Sequence, residues 1–454
     1  MSLCRLKIIL TIAIASIAGN AIAFDLDEAC TRALGFNATY LAQIAATDAG
    51  LELQNQALST FLPQISANVT YNQTYLNSSG MWVTYTQPVA AAQLQQVIID
   101  FGKFSAYTKS KFMTEIANLQ LTNARQKLMV DVAGAYFDIL YAVDNLNAIR
   151  MNKDAFLTQM EQAKQSFDAG TVTIADVNDA KANYDLATAQ ALQAENNLMN
   201  RKTIFQNMTG LNSDLVQPLI DQIILQLPSP NTPATWSEMV KSANLNVKIA
   251  RAGLNMAAQD IRIAKSGHLP VLSLIGSYQM QGTANINSAD SPATQEYISQ
   301  LMTIPGIPIS SYNTALVGLQ LSIPISSGGG ISSKVRAAIA NYETAQEQLT
   351  ATLRQADQLI INAFYQVQNG VDVVKAQTQA LKSAKLKLKS DKIGYKLGIR
   401  NSVDLVNSQN NYAKTLLSYN QARYQYLTYR LQLEYLAGRI DTDFIHLINN
   451  NIRQ

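Results

Sequence analysis

Leu62-Pro63-Gln64-Ile65-Ser66 returns 207 residues later as Leu269-Pro270-Val271-Leu272-Ser273. Tyr71 returns as Tyr278 in the same register. Further along, Ala135-Tyr136-Phe137 answers to Ala363-Phe364-Tyr365 at an offset of 228. Gly170, Asp176, Tyr184 and Gly210 answer to Gly398, Asp404, Tyr412 and Gly438 at the same 228. Leu94-Gln95 matches Leu319-Gln320 at 225, so the second copy carries 21 extra residues, about 18 of them between Tyr278 and Leu319. An offset held over several positions marks a duplicated unit rather than a chance likeness of two Ala/Gln-rich helical regions.

Prolines partition each copy. None lies between Pro88 and Pro218 or after Pro324, and proline is what a helix interior excludes. The gaps predict one long helix over 102–168 and its counterpart over 329–397, each roughly 100 Å at 1.5 Å per residue. Shorter helices are expected at 26–60 and 172–208 in the first copy and at 235–266 and 402–437 in the second. Two short helices end to end match one long one, which suggests a helical wall. On the first long helix Leu121, Leu128, Ala135, Ala142 and Ile149 recur every seven residues, with Val132, Ile139 and Leu146 beside them. Tyr136, Phe137, Leu140 and Val143 form a second apolar strip, as a helix with a neighbour on each side requires. On helix pattern alone an ordinary soluble coiled coil fits as well.

The strands argue against that simpler reading. Ile65, Ala67, Val69 and Tyr71 alternate with Ser66, Asn68, Thr70 and Asn72. Leu319, Leu321, Ile323 and Ile325 alternate with Gln320, Ser322, Pro324 and Ser326. Strands are expected at about 62–77, 82–99, 271–284 and 313–325, joined by the polar Asn77-Ser78-Ser79-Gly80 turn and a Pro/Gly-rich loop from Asn285 to Tyr312. Apolar-out, polar-in alternation with aromatics near the ends is how a barrel strand reads in lipid. Four strands do not close a barrel, since the smallest have about eight, and an open edge in hydrocarbon leaves backbone groups unpaired. The chain is therefore expected to assemble in several copies.

Residues 1–23 read as a secretory signal. Arg5 and Lys7 precede an apolar run from Ile8 to Ala18, and Ala21-Ile22-Ala23 supplies the small-x-small cleavage pattern. The expected mature chain of 431 residues, 454 less 23, holds 33 basic and 32 acidic residues, a near-neutral balance that offers no basic excess for nucleic acid. Cys30 would be its only cysteine, so no intrachain disulfide is available. No later stretch approaches eighteen apolar residues, so a membrane crossing has to be made by strands.

With these features the chain resembles the TolC-like outer-membrane efflux and secretion protein family. The resemblance rests on the doubled Leu-Pro-x-[Ile/Leu]-Ser starts and on Ala135-Tyr136-Phe137. It rests further on two helix-turn segments, Ala169 to Val177 and Gly394 to Leu405. It implies a homotrimer in the outer membrane of a Gram-negative cell, with a large periplasmic part. Each protomer would give four strands to a twelve-stranded transmembrane β-barrel, continued by an α-helical periplasmic tunnel built from two tandem repeats. The repeats would occupy 24–217 and 234–438, with a linker or equatorial belt at 218–233 joined by a C-terminal equatorial segment at 439–454. Implied partners are a periplasmic adaptor (membrane fusion) protein, an inner-membrane RND or ABC transporter and outer-membrane lipid. The implied task is passage of drugs, toxins or unfolded proteins to the exterior.

The resemblance also assigns site residues. Gly170 and Gly398 would turn the helices at the periplasmic tip. Asp404 matches an aperture ring of carboxylates that attracts cations, and Asn407 matches a second ring position that is usually acidic. Asp176 and Tyr395 match a pair bonded across neighbouring helices that keeps the tip shut. Arg400 matches a basic latch, but its usual hydroxyl partner is here Ala175, so Asp176 or a backbone carbonyl would have to serve. Local readings stand beside these: a carboxylate in a helix's first turn is favourable on its own account, and Tyr395 also suits plain packing.

Lys382, Lys385, Lys389, Lys392, Lys396 and Arg400 are spaced to lie on one helix face near the tip. Their counterparts at 228 are Asp154, Leu157, Glu161, Lys164, Asp168 and Val172. Either the stripe is a solvated face, or it steers an acidic adaptor tip to one groove in preference to the other. No catalytic motif is present. His268 and His446 stand alone, there is no Cys-x-x-Cys or Gly-x-Ser-x-Gly, and Gly328-Gly329-Gly330 is followed by no Gly-Lys-Ser/Thr. The expectation is a conduit with no catalytic residues, no metal and no cofactor. A trimeric adhesin stalk with a barrel anchor is the competing class.

Overall fold

The computed structural model describes residues 24–78, 81–218, 223–282, 285–287 and 311–453. The expected signal peptide, the tip of the first hairpin turn, part of the 218–233 linker and most of the 285–312 loop lie outside the described residues.

The element order is α1 (Leu26–Phe36), α2 (Ala38–Ser59), β1 (Gln64–Ser78), β2 (Met81–Ile99), α3 (Phe101–Asp168) and α4 (Ile174–Thr209), then a 3-10 turn at Ser213–Leu215. It continues with α5 (Pro233–Ala243), α6 (Leu245–Ser266), β3 (Val271–Gln281), β4 (Asn285–Asn287), β5 (Tyr312–Ser322), α7 (Gly330–Lys396), α8 (Ser402–Leu436) and α9 (Thr442–Arg453). The chain divides into two compact units. One holds residues up to Ala46, Asn118–Ile249 and Thr350–Gln454, and the other holds Thr47–Ala117 and Ala250–Leu349.

The second unit contains the sheet. Its strands are antiparallel in the order β1-β2-β3-β5, with β4 pairing β2. The register explains which face is which. Ile65, Leu94, Gly276 and Val317 lie in one row across the strands, and Ala67, Ala92, Tyr278 and Ala315 in the next row on the same face. The opposite face carries Ser66, Gln93, Ser277 and Leu316, then Asn68, Ala91, Gln279 and Thr314. A slip of one residue would exchange the faces, so the pairing gathers apolar side chains on one side and mostly polar ones on the other. Val69 and Val317 are each 82% exposed in the single chain, and Ile65, Tyr71 and Leu319 are exposed beside them. Such an apolar sheet face looks for lipid or another subunit. β5 stops at Ser322, short of the expected 325, because Ser322 already pairs with Val271. Beyond them stand Pro270 and Pro324, and proline removes a ladder donor.

The first unit is helical. Val132, Ala133, Tyr136, Phe137, Ile139, Leu140, Ala142 and Leu146 of α3 are buried, so both apolar strips of that helix are covered. Ile360, Ala363, Phe364 and Val367 do the same on α7. The described part of the linker is strapped to α8: Tyr426 donates its hydroxyl to the Gln226 carbonyl at 2.9 Å and accepts from the Gln226 N–H at 2.7 Å. α9 packs on α1, where Asn449 accepts from the Leu26 N–H at 3.3 Å and donates to Asp25 at 3.1 Å. Cys30 is buried, and burial, with Asp27 and Asp25 adding, pushes its thiol up to about 12, which leaves it protonated and inert.

The helices expected over 26–60 and 235–266 are each two helices, and the correction has one cause in both copies. Asn37 and Asn244, 207 residues apart, leave the helical region, with ψ of 114° and 127°. Each closes one helix through its N–H, to Ala33 at 2.8 Å and to Val240 at 3.1 Å. Each opens the next by accepting backbone N–H groups on its side-chain oxygen, from Tyr40 at 3.1 Å and from Asn246 and Val247 at 3.0 and 3.2 Å. Asparagine is among the strongest helix-starting residues for this reason.

Candidate functional site

The candidate site is the pair of helix turns in the first unit, α3 to α4 and α7 to α8. Both are built on glycine. Gly170 and Gly398 have φ of 73° and 72°, left-handed values that strain any residue with a Cβ. In the first turn the Thr171 N–H reaches the Ser166 carbonyl at 2.9 Å and the Gly170 N–H reaches Phe167 at 2.8 Å. In the second the Ile399 N–H reaches Gly394 at 2.9 Å and Gly398 reaches Tyr395 at 3.1 Å. This paired closure satisfies the last carbonyls of each long helix.

The side chains then diverge. In the first turn Thr173 caps α4, and Asp176 returns the favour: its carboxylate accepts from the Thr173 N–H at 2.9 Å and from the Thr173 hydroxyl at 2.7 Å. These bonds, the hydroxyl's first, hold Asp176 below the usual carboxylate range. The carboxylate is thus engaged inside its own turn. The Tyr395 hydroxyl makes no hydrogen bond within the described residues, so the single chain does not bring Asp176 and Tyr395 together as the resemblance implied.

In the second turn Asn401 caps α8, accepting the Asp404 N–H at 2.7 Å. This leaves the Asp404 carboxylate free of capping duty. Arg400 lies within ion-pair reach of two acids, with Nη1 3.6 Å from Asp404 Oδ2 and Nε 3.6 Å from Asp391 Oδ1. Among the described residues of the single chain these two acids, and not Asp176, are its ion-pair partners. Asp391 is the group that sequence reading missed. Its side chain is 8% exposed, and its other oxygen accepts from Lys387 at 2.8 Å. The Lys387 hydrogen bond first, then the charges of Lys387 and Arg400 and the Ser408 hydroxyl, hold Asp391 below the usual range, against the opposing pull of its burial. Asn407 is exposed one turn beyond Asp404. Lys382, Lys385, Lys389, Lys392 and Lys396 are all exposed, and among the described residues none of the five forms an ion pair.

Between the turns runs an open groove of about 550 Å³, lined by Gln159, Gln162 and Gln165 of α3, by Lys392 and Tyr395 of α7 and by Gln409 of α8. The described residues bring together no group of His, Cys, Asp or Glu able to hold a metal. No described helix is long and apolar enough to cross a membrane. Gly328 and Gly329 have φ of 59° and 83° and form the joint from β5 into α7.

A sheet with one apolar face, in a chain of two repeats of long and short helices, defines an outer-membrane channel of the tunnel-plus-barrel class. Residues 30–211 and 236–439 match the outer membrane efflux protein family, one segment for each repeat, and the chain belongs to that family. It is 30% identical over 409 residues to the outer membrane protein TolC of Escherichia coli, covering 89% of this chain and 80% of that protein. It is 24% identical over 453 residues to the proteases secretion protein PrtF of Dickeya chrysanthemi, covering 96% and 93%. The fold is shared with the CmeC outer membrane channel of Campylobacter jejuni at a TM-score of 0.74 and 18% identity, over 94% of this chain and 90% of that one. The chain is an outer-membrane exit duct for efflux or secretion, and the adhesin alternative falls away.

Proposed function

We propose that this chain works as a homotrimer without catalytic chemistry, receiving drugs or proteins from an inner-membrane RND or ABC transporter through a periplasmic adaptor. The observation that carries the assembly is the sheet. It has one apolar face and, among the described residues, open outer edges at β1 and β5, so copies would complete each other in lipid. In this reading the glycine turns form the periplasmic tip. Asp404 supplies the aperture charge and Asn407 leaves the next position neutral, so the ring attracts cations less strongly than two acids would. Asp176 and Tyr395 act on the gate from their own turns, and Tyr395→Phe with Asp176→Ala should raise resting conductance and admit large antibiotics such as vancomycin.

The five unpaired lysines of α7, set against Asp154, Glu161 and Asp168 on α3, support adaptor docking at one of two unequal grooves. A purely solvating face intersperses both signs. The test is reversal of Lys385, Lys389 and Lys392 to Glu. Trimer yield should hold while adaptor crosslinking and drug resistance fall, and the difference should fade as salt rises, because exposed charges are screened over about 8–10 Å. Full export and normal crosslinking at low salt would reduce the stripe to a solvated face. A detergent-extracted monomer that still conducts in a planar bilayer would overturn the trimer itself.

A further inference from the structure

The second turn carries a charge cluster with no counterpart in the first. Asp391 accepts from Lys387, faces Arg400 and takes the last and smallest stabilisation of its charge from the Ser408 hydroxyl of α8. At the 228 offset these four positions are Ala163, Gln159, Val172 and Ala180, all neutral. The cluster is present as a whole in one copy and absent as a whole from the other. The backbone makes room for it as well. A Cβ at Gly394 would stand 2.8 Å from the Arg400 Cγ, so this glycine lets the arginine stem lie back along α7 towards Asp391. Arg400 is thereby held between two carboxylates at equal distances of 3.6 Å.

We propose that Asp391 is a positioning residue for the aperture, which sets cation preference by sharing Arg400 and so keeping the guanidinium from neutralising Asp404. The inference rests on the aperture reading of Asp404. The electrostatics are simple. A guanidinium attracted by one acid closes to direct, charge-assisted hydrogen bonds. Attracted by two on opposite sides, it sits between them and cancels neither fully. Lys387 offsets the charge of Asp391, so that pair adds little net charge of its own. Without Asp391, Arg400 falls onto Asp404 and the ring loses its field.

Reversal potentials in a planar bilayer under a KCl gradient test this on the whole trimer. The central variant is Lys387→Gln with Asp391→Asn, which removes one charge of each sign and keeps an amide pair able to hydrogen-bond. It should lower cation preference by at least half as much as Asp404→Asn does, with trimer yield and melting unchanged. Arg400→Gln should raise cation preference, and adding Lys387→Gln with Asp391→Asn to it should change nothing more. Asp391→Glu should retain the wild-type value. If Asp404→Asn leaves selectivity unchanged, the aperture reading itself falls. If Asp404→Asn acts but the double variant does not, or if the double variant acts equally with and without Arg400, the positioning role is overturned while the aperture stands. Should the double variant fail to assemble, Arg400→Gln decides alone: cation preference that does not rise overturns the positioning role.

Discussion

The turn at Gly170 and the turn at Gly398 share a backbone and little else. The glycines differ by one degree in φ, and the closing bonds run between equivalent atoms. Yet the first turn engages its aspartate in a capping box, whereas the second caps with Asn401 and turns its aspartate towards Arg400. A duplicated hairpin is held by a few backbone requirements, and once these are met the remaining side chains are free to specialise. One copy can serve as a structural joint while the other acquires charge.

The largest expected effect lies in the paired helix breaks. Asn37→Ala removes a helix start and should cost about 1 kcal/mol. Asn244→Ala removes the same start and also the buried bond from its amide to the Leu436 carbonyl, 2.8 Å long. An unsatisfied buried acceptor adds about 1–3 kcal/mol, so thermal or denaturant unfolding should rank Asn244→Ala well below Asn37→Ala. Equal losses would mean that the two breaks are equivalent despite the extra bond. Next come Gly170→Ala and Gly398→Ala. Both place a Cβ in left-handed backbone at about 1–2 kcal/mol, with nothing within 4 Å of the built atom at either site. Their melting shifts should match within error, and a clear inequality would show that one backbone is braced from outside its turn. Smaller again are the caps. Thr173→Ala should cost about 1 kcal/mol and Asn401→Ala somewhat less, since only the first dismantles a reciprocal pair; amide exchange in the first turns of α4 and α8 would read the difference.

The smallest effect is in acid. Asp176 and Asp391 are both held below the usual range. A depressed folded value contributes stability that is present above the unfolded value, about 4, and lost as pH falls through the folded one. Acidification below about 4 should therefore lower amide protection in both turns, measured against the intrinsic exchange rate at each pH, and make them alike. Protection in the turns that stays constant down to pH 2 would remove both carboxylates from turn stability.

Much of this was legible in the chain. The doubled Leu-Pro-x-[Ile/Leu]-Ser starts and the 228 offset give the repeats, and the proline gaps leave room for α3 and α7. The helix breaks were missed because apolar residues recur on both sides of Asn37 and Asn244, so periodicity carries a reader through them. The clue was the repetition of asparagine itself at 207. Asp391 was hidden by its surroundings. Among six basic residues it reads as a break in a stripe, and its tie to Arg400 forms only when the chain turns back at Gly398. The sheet register was hidden for a different reason. Val89, Ala90, Ala91 and Ala92 of β2 alternate too weakly to show a face, and only pairing with β1 and β3 assigns one.

The sheet's two bare strands bear on the life history of the protein. Among the described residues β1 and β5 each present a row of N–H and C=O groups with no neighbouring strand on the outer side. In water such an edge recruits other strands indiscriminately; in hydrocarbon each unpaired group costs several kcal/mol. A lone chain is therefore at rest in neither phase and exists only in transit. What an unfolding experiment measures is then the durability of the assembled complex, and it shifts with chain concentration as any association does. Biogenesis becomes a race between correct edge-to-edge closure and capture by the wrong strand, decided by how briefly β1 and β5 stay uncovered.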